Sequence, residues 1–376
     1  MVWSLYYFLD ARWYESTDDA YVNGNIVEVT PRVPGTVVSI GADDNDFVHA
    51  DQTLVQLDPS NAKVALAAAE AALAQTVRRV RGMYSQVHSS DADVAVREAA
   101  YTQAKADYDR RRGLAESGAI SSEELAHAHD ALVTAQSALA AAKAQAATVV
   151  AQVAGTKIAT QPDVLAAAAK VREAWLNDKR TTLPAPVSGY IAKRTVQVGQ
   201  HVQPGVPLMA VVPLHAVWVD ANFKETQLTH MRIGQPVTLT SDVYGGSVTY
   251  HGRVEGLGIG TGSAFSLLPA QNASGNWIKI VQRLPVRIAL EPKELDKHPL
   301  RIGLSMDVEV NLHNQKGPIL SQQAPQHPVF STDVYGHNQA EADALIAKII
   351  RANDGLASAA ATPVALNVAG KARPAR

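Results

Sequence analysis

Cysteine is absent from this 376-residue chain, so it carries no disulfide, no thiolate nucleophile and no cysteine metal site. The same absence leaves the redox compartment unread, because a cysteine-free chain suits either. Charge of one sign is missing too. Thirty-four Lys and Arg against 36 Asp and Glu leave a net −2, too little to recruit nucleic acid or anionic lipid through a bulk field. The 12 histidines are scattered. At the N-terminus, the apolar stretch before Asp10 falls far short of the roughly 20 residues a spanning helix needs. It also lacks the basic start and small-residue cleavage site of a signal peptide. What remains is a chain 47% hydrophobic and 19% charged, enough folded material for about two to four domains.

Catalytic signatures are lacking as well. No Gly-x-Ser-x-Gly elbow, no His-Glu-x-x-His pair and no carboxylate pair placeable in a cleft occur. The run Gly256-x-Gly258-x-Gly260-x-Gly262 has no helical pattern after it, so it reads as a turn rather than a dinucleotide loop. Asp43-Asp44-Asn45-Asp46 lacks the 12-residue frame and closing Glu of a calcium loop and reads as an acidic turn. His127 and His129 are two apart on a helical stretch, so they point to different faces and make a poor metal pair. The residues point away from an enzyme, and no cofactor is expected.

Aromatics are concentrated at the start. Trp3, Tyr6, Tyr7, Phe8, Trp13 and Tyr14 put six of them in the first 14 residues. Tyr and Trp favour the membrane–water interface, so residues 1–16 read either as the stub of a membrane anchor or as an aromatic strand.

An internal repeat follows, split by a long insertion. Val33-Pro34-Gly35-Thr36-Val37-Val38 aligns with Val187-Ser188-Gly189-Tyr190-Ile191-Ala192 at an offset of 154 residues. The same offset pairs Val48 with Val202, Leu54 with Leu208 and Leu57 with Val211. Each copy has alternating apolar residues and glycines at its bends, as hairpins require. A lone hairpin is marginal in water, so residues 29–58 and 183–212 are expected to share one β-sandwich. Gly35, Val48, Leu54, Gly189, Val202 and Leu208 would supply its core and turns.

Residues 59–182, between the copies, are helical in character. Leu66, Leu73, Val80, Val87, Val94, Tyr101 and Tyr108 recur every seven residues, and Leu125, Leu132, Leu139, Ala146 and Val153 repeat the pattern. A seven-residue period keeps one stripe on a partner helix. Ala128, Ala135, Ala142 and Val149 supply a second, small-residue row. The residues Gly113 to Gly118 break the helix, and Ser121-x-x-Glu124 reads as a capping box opening the next one. Pro162 interrupts the second arm, and helical character resumes from Asp163 to Lys179. With no other apolar helix available to cover the pair, an antiparallel coiled-coil hairpin is expected, its tip at about residues 112–122. Arms of roughly 50 residues reach about 75 Å.

After Val212 the chain turns β-rich. Val217–Val219, Val237–Thr240, Ser247–Val254, Trp277–Val281, Val286–Leu290 and Met306–Leu312 are strand candidates. With a strand from residues 17–28 they would close a barrel over 213–315, which removes exposed edges. Within the tail, 316–376, a short amphipathic helix is expected over 339–351, with Leu345, Ile346, Ile349 and Ile350 on one side. The rest is expected to be disordered.

The order of half-repeat, helical hairpin, half-repeat and barrel resembles the HlyD-type membrane fusion proteins. The strings Ser16-Thr17-Asp18-Asp19-Ala20-Tyr21-Val22, Trp218-Val219-Asp220-Ala221-Asn222-Phe223-Lys224-Glu225 and Met231-Arg232-Ile233-Gly234-Gln235-Pro236-Val237 narrow the likeness to EmrA-type periplasmic adaptors. So does Ser263-Ala264-Phe265-Ser266-Leu267-Leu268-Pro269. The resemblance covers residues 15–312 and implies an elongated α+β fold. Its parts would be a lipoyl-like β-sandwich built from two half-repeats, the inserted coiled-coil hairpin and a β-barrel near the inner membrane. It also implies an N-terminal spanning helix, of which residues 1–16 would be the stub. The partners implied are an EmrB-like major-facilitator, proton-coupled drug exporter, a TolC-like outer-membrane channel, and further copies in a ring of six. Adaptors of this class show Arg, Leu and Ser at the hairpin tip in R-x3-L-x6-S spacing, which Arg110, Leu114 and Ser121 match. An adaptor of a type I secretion or small aromatic or organic acid efflux system is the alternative. A lipoyl or biotinyl carrier would need Met-Lys-Met at the connection between the halves, and none occurs. A passive coiled-coil fibre leaves the two β-domains unexplained.

Overall fold

The computed structural model describes residues 11–116, 118–262, 264–265, 281–322, 324–336 and 338–355. It divides into two compact units, Met1–Asp58 with Arg180–Tyr335, and Pro59–Lys179 with Gly336–Arg376.

The first unit contains two β-structures. Eight short strands make the sandwich: β2 (Val27–Val29), β3 (Gly35–Ile40), β4 (Phe47–Val48), β5 (Thr53–Leu57), β6 (Thr182–Pro184), β7 (Gly189–Arg194), β8 (His201–Val202) and β9 (Met209–Val212). They form two four-stranded sheets, β2-β9-β7-β4 and β6-β5-β3-β8. The 154-residue offset survives in the backbone, since β3 maps onto β7 and β4 onto β8 without a slip. Each sheet therefore draws two strands from each half of the repeat, and neither half can complete a sheet alone. One buried cluster joins both halves, with Val37, Val48, Leu54 and Leu57 against Ile191, Val202, Leu208 and Val211. Asn45 and Asp51 have φ of +72° and +68°, and their repeat partners Gly199 and Gly205 have +84° and +84°. Asn and Asp are the side chains that tolerate this left-handed region best. The acidic turn satisfies itself: Asp46 accepts from the Asp43 N–H at 2.8 Å. Arg194 Nε then donates to Asp43 across the two halves at 2.7 Å.

The second β-structure is a closed barrel of β1 (Tyr14–Asn23), β10 (Trp218–Lys224), β13 (Arg283–Leu290), β12 (Thr249–Leu257), β11 (Pro236–Thr240) and β14 (Ser305–Asn311), in that order. Alternate residues such as Val219, Ala221 and Phe223 are fully buried, as a half-buried strand demands. Burial pushes the Tyr250 phenol up to about 12, and its hydroxyl donates to the His298 carbonyl at 3.0 Å. A short helix, α4 (Pro292–Lys297), follows β13.

Three boundaries differ from expectation here. Tyr14, Glu15 and Ser16, assigned to the anchor stub, instead pair with Asn311, Val310 and Glu309 in the barrel. The register shifts between Thr17 and Ala20, as at a bulge, and there Asp19 accepts from Asn222 and Arg283. The barrel strand ends at Asn23, and Val27–Val29 crosses into the sandwich beside β9. Thr182, assigned to the hairpin, already belongs to β6. Of the candidate Trp277–Val281, residues 277–280 lie outside the described residues, and Val281 is not in a strand.

The second unit is helical. Helix α1 (Ser60–Glu116) has 57 residues, about 85 Å at 1.5 Å per residue. Along the second arm, α2 (Ser122–Ala151) and α3 (Pro162–Lys179) follow one another. Between them Gly155 takes φ +71°, and the Tyr84 hydroxyl of α1 reaches across to the Thr156 carbonyl at 2.7 Å. Gly113 does not break α1, which continues to Glu116. A single glycine costs a helix only about 1 kcal/mol.

The heptad stripe is buried unevenly. Leu73 and Val80 are fully enclosed, as is Val77 beside them, whereas Leu66, Val87 and Val94 are half-buried. On the opposite arm Ala128, Leu139, Ala146 and Val149 are buried, Leu125 and Leu132 partly so. The difference has a cause that sequence reasoning missed. Helix α5 (Asn338–Asn353) lies on α1 and α3, where Ile346 is buried with Leu73, Val80, Val164 and Val171. Ion pairs Arg172–Asp343 and Lys179–Glu341 flank it. A two-helix seam covers its side chains from two sides only, and a third helix closes the gap. The stretch 316–336, expected to be disordered, makes defined contacts: Ile233 N–H donates to Pro318, Thr332 Oγ1 donates to Pro186, and the Arg32 guanidinium sits 3.8 Å from the Tyr335 ring centroid. Residues 356–376 lie outside the described residues.

Candidate docking site at the hairpin tip

The turn between α1 and α2 is fixed by backbone geometry. Gly118 takes φ +77°. Its N–H donates to the Ala115 carbonyl at 3.0 Å, and the Ala119 N–H donates to the Leu114 carbonyl at 3.0 Å. This is a Schellman closure, in which a left-handed glycine turns the chain and satisfies orphan carbonyls. Two residues later Ser121 caps α2. Its Oγ accepts from the Glu124 N–H at 3.2 Å, and Glu124 accepts from the Ser121 N–H at 3.1 Å. The expected capping box is therefore present.

The three tip residues stand in different situations. Arg110 and Leu114 are one turn apart, so they share a face of α1. Leu114 is 44% exposed, unusual for a leucine beside a closed turn. Arg110 donates to Asp107 at 2.7 Å, and this bond holds the Asp107 carboxyl below its ordinary range. Arg111 also reaches Asp107, at 3.0 Å, and the Arg110 side chain is 69% exposed. Asp107 was not singled out from the sequence, although its i, i+3 and i, i+4 spacing to two arginines was visible there. Ser121 spends its hydroxyl on the cap. Chemically, the described residues of the tip offer an apolar knob, a partly paired guanidinium and a stiff turn. Nearby, His127 approaches Glu123 at 3.8 Å and the His129 ring meets Tyr108 at 5.6 Å, so the two histidines serve separate neighbours.

A family model for the alpha-helical hairpin domain of EmrA matches residues 60–181. The chain is 48% identical over 351 residues to the multidrug export protein EmrA of Escherichia coli (strain K12), covering 93% of this chain and 90% of that protein. It is 51% identical over 304 residues to the fatty acid resistance protein FarA of Neisseria gonorrhoeae, covering 81% and 77%. A solved structure of the periplasmic adaptor protein EmrA aligns at 18% identity with a TM-score of 0.39, covering 80% of this chain and 99% of that one.

Proposed function

This chain belongs to the EmrA-type membrane fusion adaptors, and we propose that it links an inner-membrane exporter to an outer-membrane channel in a multidrug efflux pump. The exporter is a proton-coupled major-facilitator protein of the EmrB kind, and the channel is TolC-like. The adaptor does no chemistry of its own. It works in the periplasm, attached to the inner membrane through its N-terminal region. Among the described residues no helix is long and apolar enough to cross a membrane. Six copies form a ring, because one narrow hairpin cannot wall a conduit, and the ring transmits conformational change driven by the exporter.

The observation that carries this reading is the tip. A helix of 57 residues ends in a turn stiffened from both sides, and its adjoining face presents Leu114 and Arg110 to solvent. Burying an exposed leucine on a partner contributes about 1.5–3 kcal/mol, and a guanidinium adds directional hydrogen bonds to channel carbonyls or carboxylates. Leu114→Ala and Arg110→Asp are expected to abolish adaptor-dependent drug resistance while the protein accumulates normally and keeps its helical circular dichroism. Unchanged resistance at normal protein levels would count against docking through the tip.

The FarA relative, whose name refers to fatty acid resistance, favours a second reading in which amphiphilic acids are the cargo. Growth of an adaptor-deleted strain with and without this chain, on fatty acids against neutral and cationic drugs, separates the two.

A further inference from the structure

Helix α5 is attached to the root of the hairpin in the way one molecule is attached to another. Ile346 is buried, and Leu345, Ile349 and Ile350 are half-buried, over the groove that α1 and α3 form. Hairpin cations flank this apolar strip and face acceptors on α5. Arg172 Nε donates to Asp343 at 3.1 Å, and Lys179 lies 3.3 Å from Glu341. Toward the other end of α5, Arg78 donates to the Asn353 side chain at 2.6 Å. There the Arg81 guanidinium also closes over Gly355, whose φ is +87°. An apolar centre with a polar rim is the anatomy of an interface between separable bodies.

Two properties make the attachment reversible. The rim is open to water, with the Asp343 side chain 56% and that of Glu341 63% exposed, so these pairs are weak and screened by salt. A helix of 16 residues is also close to the length at which isolated helices are marginal in water. Helix α5 therefore keeps its shape only while the groove covers it. The groove needs no such help, because α1 and α3 meet directly through Leu73, Val80, Val164 and Val171, with Arg79 paired to Asp163 at 3.1 Å. We propose that α5 is a clasp that releases and reseats as a unit on an otherwise intact hairpin, switching its root between a three-helix and a two-helix state. Seated, α5 closes the open side of the stripe and hinders α1 from sliding against α3. Released, it leaves a root that bends and slides more easily, so the clasp sets how stiffly movement passes along the hairpin. The inference does not rest on docking at the tip, on the ring or on any partner.

Amide hydrogen exchange on the unmodified full chain tests the clasp. Amides of α5 are expected to exchange together, about tenfold or more faster than those between Leu73 and Val80, which stay helical when α5 leaves. Raising sodium chloride from about 0.01 to about 1 M shortens the Debye length from about 30 to about 3 Å and is expected to speed α5 exchange roughly fivefold. Asp343→Arg is expected to speed it by a similar factor at low salt, and Arg172→Asp combined with Asp343→Arg to restore it. Because the chain lacks cysteine, the thiol of Ile346→Cys reports opening a second way, through its rate of labelling. Leu139→Cys, on the seam of α2 with α1, is the control, since Leu139 is buried away from α5. Labelling that rises with salt at 346 but not at 139 is the expected result. Exchange of α5 only in step with α1 and α3, no response to salt, or failure of the reversed pair to restore protection overturns the inference. Equal acceleration at 139 overturns it as general loosening. Labelling at 346 that depends on protein concentration overturns it too, because copies would then be sharing α5.

Discussion

Gly35 and Gly189 occupy equivalent places in the repeat, so sequence alone expects the same cost from replacing either with alanine. The structure expects different costs. At Gly189 the new Cβ would lie 2.5 Å from the Val212 carbonyl oxygen and 2.7 Å from its carbon. Both atoms are backbone of β9, to which β7 is hydrogen-bonded, so the strands must part. Overpacking costs about 1–3 kcal/mol and a lost ladder bond about 1 kcal/mol more, which puts Gly189→Ala at about 3 kcal/mol. At Gly35 the nearest atoms are side-chain carbons of Leu57 at 3.3 Å, which can move, so about 1 kcal/mol or less is expected. Gly199 is a third case. Its Cβ meets nothing within 4 Å, and the cost is conformational, about 1–2 kcal/mol for the left-handed region less the ~0.4–1 kcal/mol gained by stiffening the unfolded chain. Because the effect sought is local to the sandwich, the assay is amide hydrogen exchange of the β3, β7 and β9 peptides, which reports opening locally. Equal destabilisation by Gly35→Ala and Gly189→Ala, or a larger effect at Gly199, would refute the packing argument.

Leu73→Ala empties a site closed by three helices and is expected to cost about 2–5 kcal/mol. Val94→Ala, on the half-covered part of the same stripe, is expected to cost under about 1.5 kcal/mol, and thermal unfolding followed by circular dichroism at 222 nm compares them. Asp43 is held below its ordinary value chiefly by the hydrogen bond from Arg194. Its contribution to joining the two half-repeats is therefore complete above the unfolded carboxylate pKa of about 3.9 and lost as pH falls through the lower folded value. Carboxyl NMR titration of Asp43 should show a depressed midpoint that Arg194→Gln restores toward normal.

Much of the fold was legible because two periodicities survive in the residues themselves. The heptads from Leu66 to Tyr108 name the helix, and the offset joining Gly35 to Gly189 names the sandwich. Strand exchange between its sheets was not legible, since a repeat fixes which residues are equivalent and not which ones pair. Helix α5 was legible as an amphipathic segment but not as a third bundle member. Its groove exists only after Leu73 and Val171, far apart in the chain, have met. Tyr14 misled in a different way, because the same ring that suits a membrane interface also suits a barrel strand. At the tip the Arg110–Leu114–Ser121 spacing and the Ser121 cap were visible beforehand. The turn's closure by Gly118 was visible only as a break, and Gly113 drew attention that the helix ignored.

The interlocked sheets bear on how the molecule is made. Strands β5 and β6 are neighbours in one sheet yet roughly 120 residues apart in the chain. Bringing such ends together from a random coil costs about 4 kcal/mol in loop closure, before any contact repays it. Antiparallel helices remove most of that toll, because a chain that runs out along α1 and back along α2 and α3 delivers its later half to the place where its earlier half waits. On a ribosome the first half-repeat emerges without its complement, exposing strand edges. The hairpin is then the element rich in local contacts, the kind that forms early, and so shortens the wait.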